Sequence, residues 1–322
     1  MATVPPPVSI SASTAVARRA GDLIDAVASV VLGKRHQIAL VVAGLLSGGH
    51  VLLEDVPGVG KTLLAKALAR GVGGTSGRVQ GTADLLPADI TGVTVYDPGD
   101  RTWRFHPGPI FNNVVLLDEV NRATPRAQSA LLEAMAEGQV TVDGTAHPLP
   151  RPFFVVATQN PAGDVGTFPL VQGQLDRFAL VVSLGLPDRT AERAMLDGDG
   201  GPAALDAVVP LIDGADLLAA RHEVDRLHAS GAVTDYVLDI VEATRRHAGI
   251  ERGASPRAAG CLLGVARAHA LLAGRDFVAP DDVKAVAVAV LGHRIGPADR
   301  PGADAGRLLV AELMDAVAAP AV

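Results

Sequence analysis

Apolar positions along this chain follow two rhythms, and the rhythm changes near residue 187. Before that point, short unbroken apolar runs alternate with stretches of helical spacing. Ala15 to Val31 places apolar residues at three- to four-residue intervals, with Arg18, Arg19, Asp22 and Asp25 between them, and reads as a helix. Lys34 to Leu46 reads as a second helix. His50–Glu54, Val114–Leu117, Phe153–Ala157 and Leu180–Leu184 are compact apolar runs, the pattern of strands buried on both faces. Thr62–Arg70, stopped by Gly71, and Ser129–Glu137, stopped by Gly138, read as helices between them. Strands alternating with helices predict an α/β fold, a parallel sheet sandwiched by helices. Two hairpins interrupt it. One spans Thr94–Phe105 and turns at Asp97-Pro98-Gly99-Asp100; the other spans Gln139–Pro148 and turns at Asp143-Gly144.

Beyond Pro187 the spacing is helical, with no convincing strand. Leu205–Leu218, Arg221–Ser230, Thr234–His247, Ser255–Ala273 and Asp281–Leu291 are the expected helices, and Pro280 ahead of Asp281-Asp282 suits a helix start. The expected division is a disordered Pro- and Ser-rich arm over 1–14, an α/β core over 15–187 and an all-α lid over 188–322.

Composition narrows the class. With 322 residues, 48% hydrophobic and 20% charged, the chain suits a globular protein with a substantial core. Aromatics are 3%, so that core is built from Ala, Val, Leu and Ile. The net charge of −7 argues against nucleic acid as the main partner, since phosphate neutralisation needs clustered Lys and Arg. The single cysteine, Cys261, excludes an intrachain disulfide and a cysteine-built metal site, which points to a reducing, cytoplasmic setting. Cys261 lies in an apolar helical pattern and reads as a small buried hydrophobe. The longest apolar stretch, Ile38–Leu53, is interrupted by Ser47, Gly48, Gly49 and His50 and is too short to span a bilayer. The N-terminus lacks the charged-then-apolar order of a signal peptide.

The candidate chemistry sits at strand ends. Pro57-Gly58-Val59-Gly60-Lys61-Thr62-Leu63 follows a strand and opens a helix, the context of a Walker A phosphate loop. Gly58 and Gly60 let the backbone curl its N–H groups inward, and the helix N-terminus adds partial positive charge. Lys61 supplies a charge for the β- and γ-phosphates of ATP, and Thr62 offers a hydroxyl to Mg²⁺. The strict motif places Gly at position 55, where this chain has Asp55. Val114–Leu117 ends at Asp118-Glu119, the pattern of a Walker B strand. Asp118 is placed to orient Mg²⁺ through water, and Glu119 to polarise the attacking water. Asn160 ends the third strand. It reads either as a turn residue before Pro161 or as a hydrogen-bond donor to the γ-phosphate or the water. His36 reads as a surface residue or as a neighbour of the adenine.

These motifs resemble the MoxR family of AAA+ ATPases over nearly the whole chain after the arm. The similarity is carried by His50–Asp55, Asp84-Leu85-Leu86-Pro87-Ala88-Asp89-Ile90-Thr91-Gly92, Phe105-His106-Pro107-Gly108-Pro109-Ile110 and Asp118–Ala123 with Gln128–Glu133. Gln174-Leu175-Asp176-Arg177-Phe178 and Gly253-Ala254-Ser255-Pro256-Arg257-Ala258 extend it. The resemblance implies a homo-oligomeric ring, a hexamer, with ATP at each subunit interface. Arg177 would be the arginine finger, Asn160 sensor 1 and Arg257 sensor 2, with Arg122 and Arg126 as rival interface arginines. It implies protein substrates and a von Willebrand factor A domain adaptor. A DNA-acting motor and a nucleotide-gated scaffold are the alternatives. The Thr94–Phe105 hairpin would be the clade's insert, with Trp103 gripping substrate or, by preference, pinning the hairpin to the core; its charges show no basic excess.

Overall fold

The computed structural model describes residues 12–160, 166–298 and 303–320. The first helix, α1 (Ala12–Val30), starts inside the span expected as an arm; residues 1–11 of that arm lie outside the described residues. Next come α2 (Arg35–Leu46), β1 (His50–Glu54), α3 (Lys61–Val72), β2 (Ser76–Gln80) and α4 (Pro87–Thr91). The first hairpin is β3 (Gly92–Asp97) with β4 (Thr102–Pro107). After β5 (Val114–Asp118) and α5 (Pro125–Glu137), the second hairpin is β6 (Gln139–Val142) with β7 (Thr145–Pro148). Then follow β8 (Phe154–Gln159), α6 (Gln172–Leu175) and β9 (Phe178–Val182).

The sheet has five strands in the order β2-β5-β8-β1-β9, and every neighbouring pair is parallel. Side chains alternate faces along a strand, and here the alternation divides two cores. Val51, Leu53, Val114, Leu116, Val156, Leu180 and Val182 face α1, α2 and α3 in one apolar cluster. Leu52, Val115, Leu117, Val155, Ala157 and Val181 face α5 in another. Because both faces are covered, the inner strands, apart from buried His50 at the start of β1, carry no polar residue until their carboxyl ends. There the phosphate loop, Asp118 and Asn160 follow three adjacent strands, β1, β5 and β8.

The C-terminal part comprises α7 (Arg189–Leu196), α8 (Gly201–Asp206), α9 (Gly214–Arg226) and α10 (Gly231–Arg246), then α11 (Pro256–Leu272), α12 (Pro280–Leu291) and α13 (Ala303–Ala316). One antiparallel pair of very short strands, β10 (Ile250–Arg252) and β11 (Gly296–Pro297), departs from the purely helical expectation. The predicted helices Leu205–Leu218 and Arg221–Ser230 are also redrawn. A loop around Pro210 separates α8 from α9, and Asp213 caps α9 by accepting the Asp216 N–H at 2.7 Å. The apolar cluster on the α1–α3 side runs on into α9–α13, so the helical part shares a core with the sheet. Arg294 fixes it to β9: its side chain, 3% exposed, donates to Asp176 Oδ1 at 2.8 Å, Phe178 O at 2.7 Å and Ala179 O at 2.9 Å.

Both hairpins form as expected; Asp143 (φ 49°) and Gly144 (φ 77°) make the tight turn of the second. Trp103 does not pin the first hairpin to the core. It is 70% exposed and packs across the strands on Tyr96, with ring centroids 5.3 Å apart. Phe105 does the anchoring, stacked on His147 of the second hairpin at 3.9 Å and set edge-on to Phe111. No helix among the described residues is long and apolar enough to cross a membrane.

Candidate active site

The phosphate loop owes its shape to two glycines. Gly58 (φ 87°) and Gly60 (φ 97°) are in the left-handed region that other residues enter at a cost. Position 55 is not, so it needs no glycine, and Asp55 has a different task. Its carboxylate accepts hydrogen bonds from the Val56 N–H at 2.8 Å, Ser183 Oγ at 2.8 Å and the Gly185 N–H at 2.5 Å. It thereby ties the start of the loop to the chain leaving β9. Burial works against the charged form of Asp55, but these hydrogen bonds and the nearby Lys61 hold its pKa below the usual carboxylate value.

Lys61 opens α3 and is buried. Its ammonium donates to Asp55 O, to Val56 O at 3.1 Å and to Asn160 Oδ1 at 3.0 Å, so its three donors are matched by three oxygens. Burial lowers its pKa, and the carboxylates of Asp55, Glu119, Asp118 and Glu54 counter part of that shift. Thr62 Oγ1 donates to Asp118 Oδ1 at 3.0 Å, and Thr158 Oγ1 donates to the same oxygen at 3.1 Å. Arg78 on β2 grips the other oxygen, Asp118 Oδ2, through Nε at 3.1 Å and Nη2 at 2.9 Å.

Glu119 stands just past the strand end with φ 53° and ψ 51°. A left-handed non-glycine residue is strained by roughly 1–3 kcal/mol and marks positions held by their surroundings. The holders here are its own N–H, donated to Thr158 Oγ1 at 2.9 Å, and its carboxylate, which accepts from Gln80 Nε2 and Arg122 Nη1, both at 3.2 Å. Asn121 Nδ2 donates to Asn160 O at 3.2 Å and so links the Asp118-Glu119 turn to the end of β8.

Two adjoining cavities meet at the loop. One, of about 390 Å³, is lined by Pro57, Lys61, Thr62, Asp118, Glu119 and Asn160, with Arg78 and Gln80 on its far wall. The other, of about 460 Å³, is apolar and lies between Val30–Leu32, Val59, Pro187 and residues 198–203 at the start of α8. Gly58, Gly60 and Leu63 border both. A polar chamber next to an apolar slot is the shape that a triphosphate joined to a flat base requires.

The structure brings together Pro57 to Leu63, Asp118, Glu119 and Asn160, the residues singled out at the strand ends. It does not bring Arg177 or Arg257 to either cavity of the same chain. Asp176 pairs with Arg294 rather than with Arg177, and Arg177 has no ion pair among the described residues. Arg257 is exposed in the first turn of α11. Arg122 lies on Glu119, Arg126 is exposed, and exposed His36 lines neither cavity; Lys34 lines the apolar one instead, donating to Leu186 O at 2.7 Å. Arg78 and Gln80 lie on β2, a strand with one buried residue and no apolar run to mark it; the signal for them is that both sit on one face of an extended stretch.

Comparison with known proteins agrees with this arrangement. A family model described as "ATPase family associated with various cellular activities (AAA)" matches residues 50–180, and an AAA lid domain model matches 242–312. Chaperone MoxR1 of Mycobacterium tuberculosis is 40% identical over 275 residues, covering 83% of this chain and 72% of its own length. The chain belongs to the MoxR family of AAA+ ATPases. Another relative, the YeaC protein of Bacillus subtilis, is 42% identical over 93% of this chain and 94% of its own length. A crystal structure of a Cytophaga hutchinsonii protein, 35% identical, superposes with a TM-score of 0.85 over 96% of this chain and 97% of that one. The α/β fold with its helical lid is therefore that of a MoxR-type AAA+ protein.

Proposed function

We propose that this MoxR-family chain hydrolyses ATP with Mg²⁺ inside a homo-oligomeric ring, a hexamer, and uses the cycle to remodel or mature partner proteins in the cytoplasm. The observation that carries the reading is the convergence of Lys61, Thr62, Asp118, Glu119 and Asn160 around one cleft that opens into an apolar slot. The oxygen set suits Mg²⁺: a hydroxyl (Thr62) and a carboxylate (Asp118) lie 3.0 Å apart at a helix N-terminus, and Mg²⁺ takes few protein ligands beside phosphate oxygens and water. Bound there, Mg²⁺ would neutralise charge on the β- and γ-phosphates. The curled loop presents its N–H groups to the phosphates, and Lys61 turns from its own carbonyls toward them. Glu119 takes hold of the attacking water, and Asn160 orients it or the γ-phosphate. Arg177 and Arg257 complete a neighbour's site, Arg177 as the finger on the γ-phosphate; a side chain with no ion pair among the described residues suits that role. An adaptor with a von Willebrand factor A domain would deliver the protein substrate.

The first hairpin favours protein over DNA as the substrate. Arg104, a candidate phosphate contact, is paired internally with Asp97 at 3.8 Å and with Asp100. The test is phosphate release by the parent and by Glu119→Gln at saturating ATP and Mg²⁺. The variant should keep ATP affinity and lose about 10²–10⁴ in turnover. Equal, negligible turnover in both would favour a nucleotide-gated scaffold, and DNA-stimulated turnover would favour a DNA motor.

A further inference from the structure

The pairing of Arg78 with Asp118 carries a consequence beyond the family's motifs. Asp118 is the carboxylate that the proposed function assigns to the cation, and the inference rests on that assignment. Its side chain is 6% exposed, while that of Arg78 is 53% exposed. Both carboxylate oxygens are occupied: Oδ1 by the hydroxyls of Thr62 and Thr158, Oδ2 by the two-pronged guanidinium. Both prongs converge on that one oxygen, and hydrogen bonds between two ionised groups are stronger than those between neutral ones. Arg78 also reaches sideways, Nη2 donating to Gln80 Oε1 at 2.9 Å, which leaves the Gln80 amide nitrogen to face Glu119 Oε2 at 3.2 Å. One guanidinium thus satisfies one acidic residue of the cleft directly and orients the partner of the other.

We propose that Arg78 is a built-in cation: it neutralises Asp118 in the nucleotide-free chain, and it must release that carboxylate for a divalent metal to bind with ATP. The exposure difference supports release. The carboxylate is fixed by its neighbours, whereas the guanidinium stands at the mouth of the cleft on the edge strand, with water to receive it. The electrostatics set two opposite signs. Arg78 competes with a cation for Asp118, so it raises the Mg²⁺ concentration needed. It also screens Asp118 from the highly negative triphosphate, so it favours ATP when no metal is present. A purely structural residue would move both affinities the same way.

The experiment is equilibrium binding of a fluorescent ATP analogue to the full chain, in EDTA and across a Mg²⁺ series, with melting midpoints alongside. For Arg78→Gln, half-saturation should occur at roughly tenfold lower Mg²⁺, the scale of one nearby unit charge, while affinity in EDTA weakens. Arg78→Lys keeps the charge and should stay within about twofold of the parent in Mg²⁺ requirement. The proposal is overturned if Arg78→Gln, melting like the parent, needs the same or more Mg²⁺, or if both variants shift alike. A parent that binds no analogue in any condition would instead contradict the proposed function.

Discussion

Two clusters of buried charge in this molecule use the same chemistry for different ends. At the junction between β9 and the helical part, Arg294 is enclosed by Asp176 and the carbonyls of Phe178, Ala179 and Val290. Nearby in sequence, Asp282 is 0% exposed and caps α12 by accepting from the Ala279 N–H at 2.8 Å, with His269 and Arg275 on its other oxygen. Burial opposes the charge on Asp282, but these partners outweigh it and hold the pKa low. In the cleft, Lys61, Asp118 and Glu119 are likewise paired, but with one another's neighbours across a cavity of about 390 Å³. Neither the Arg294 group nor the Asp282 group lines the two cavities at the phosphate loop, so their pairing supports the fold. The cleft cluster opens onto space that a ligand can fill, so every pair in it is exchangeable. The difference lies in what adjoins the charges, not in which residues carry them.

Three changes sharpen that contrast, taken from the largest effect on stability to the smallest. Arg294→Met should destabilise the chain by about 3 kcal/mol in chemical denaturation, because the carbonyls of Phe178, Ala179 and Val290 lose a buried donor and the partly exposed Asp176 loses its partner. Acidification should act through His50. Burial, reinforced by Arg221, lowers its pKa from 6.5 to about 4, and its ring is engaged by Met135 O and the Val155 N–H at 3.2 and 3.1 Å. The unfolded chain then binds the proton first. Stability attributable to this residue is present above pH 6.5 and is lost as the pH falls toward 4, by about 3 kcal/mol in all. Denaturation midpoints for the parent and His50→Gln across that range should converge as the pH drops. Glu119→Gln should change stability by no more than about 0.5 kcal/mol, since its side chain meets Gln80, Arg122 and open cleft. The same substitution should give the large loss of turnover.

The legibility of the sequence followed this division. Central strands announced themselves because burial on both faces leaves an unbroken apolar run, and the loop between β1 and α3 carried its own glycines and lysine. Edge strand β9, buried along its length, announced itself too; the other edge strand, β2, did not. Ser76-Gly77-Arg78-Val79-Gln80 has one buried residue, Val79, and its polar face belongs to the cleft, so the pattern is that of a loop and Arg78 and Gln80 went unseen. The helical part suffered the opposite fault: Leu205 and Ile212 are buried from a short helix and a loop, and their spacing imitated a continuous helix. Thr124-Pro125 marks the true start of α5, an N-cap accepting the Ala127 N–H followed by proline in the first turn, and the periodic pattern alone placed it too late. Asp55, a defect against the strict loop motif, is explained only by contacts to Ser183 and Gly185, residues far away in the chain.

Calorimetric titration of ATP with Mg²⁺ into the parent and into Lys61→Ala reaches the central claim most directly. The account predicts saturable binding of one nucleotide per chain in the parent and a loss of affinity of about a hundredfold or more in the variant, since a charge-assisted contact worth ~3 kcal/mol disappears. Binding that is absent from the parent, or unchanged in a folded Lys61→Ala, would contradict it.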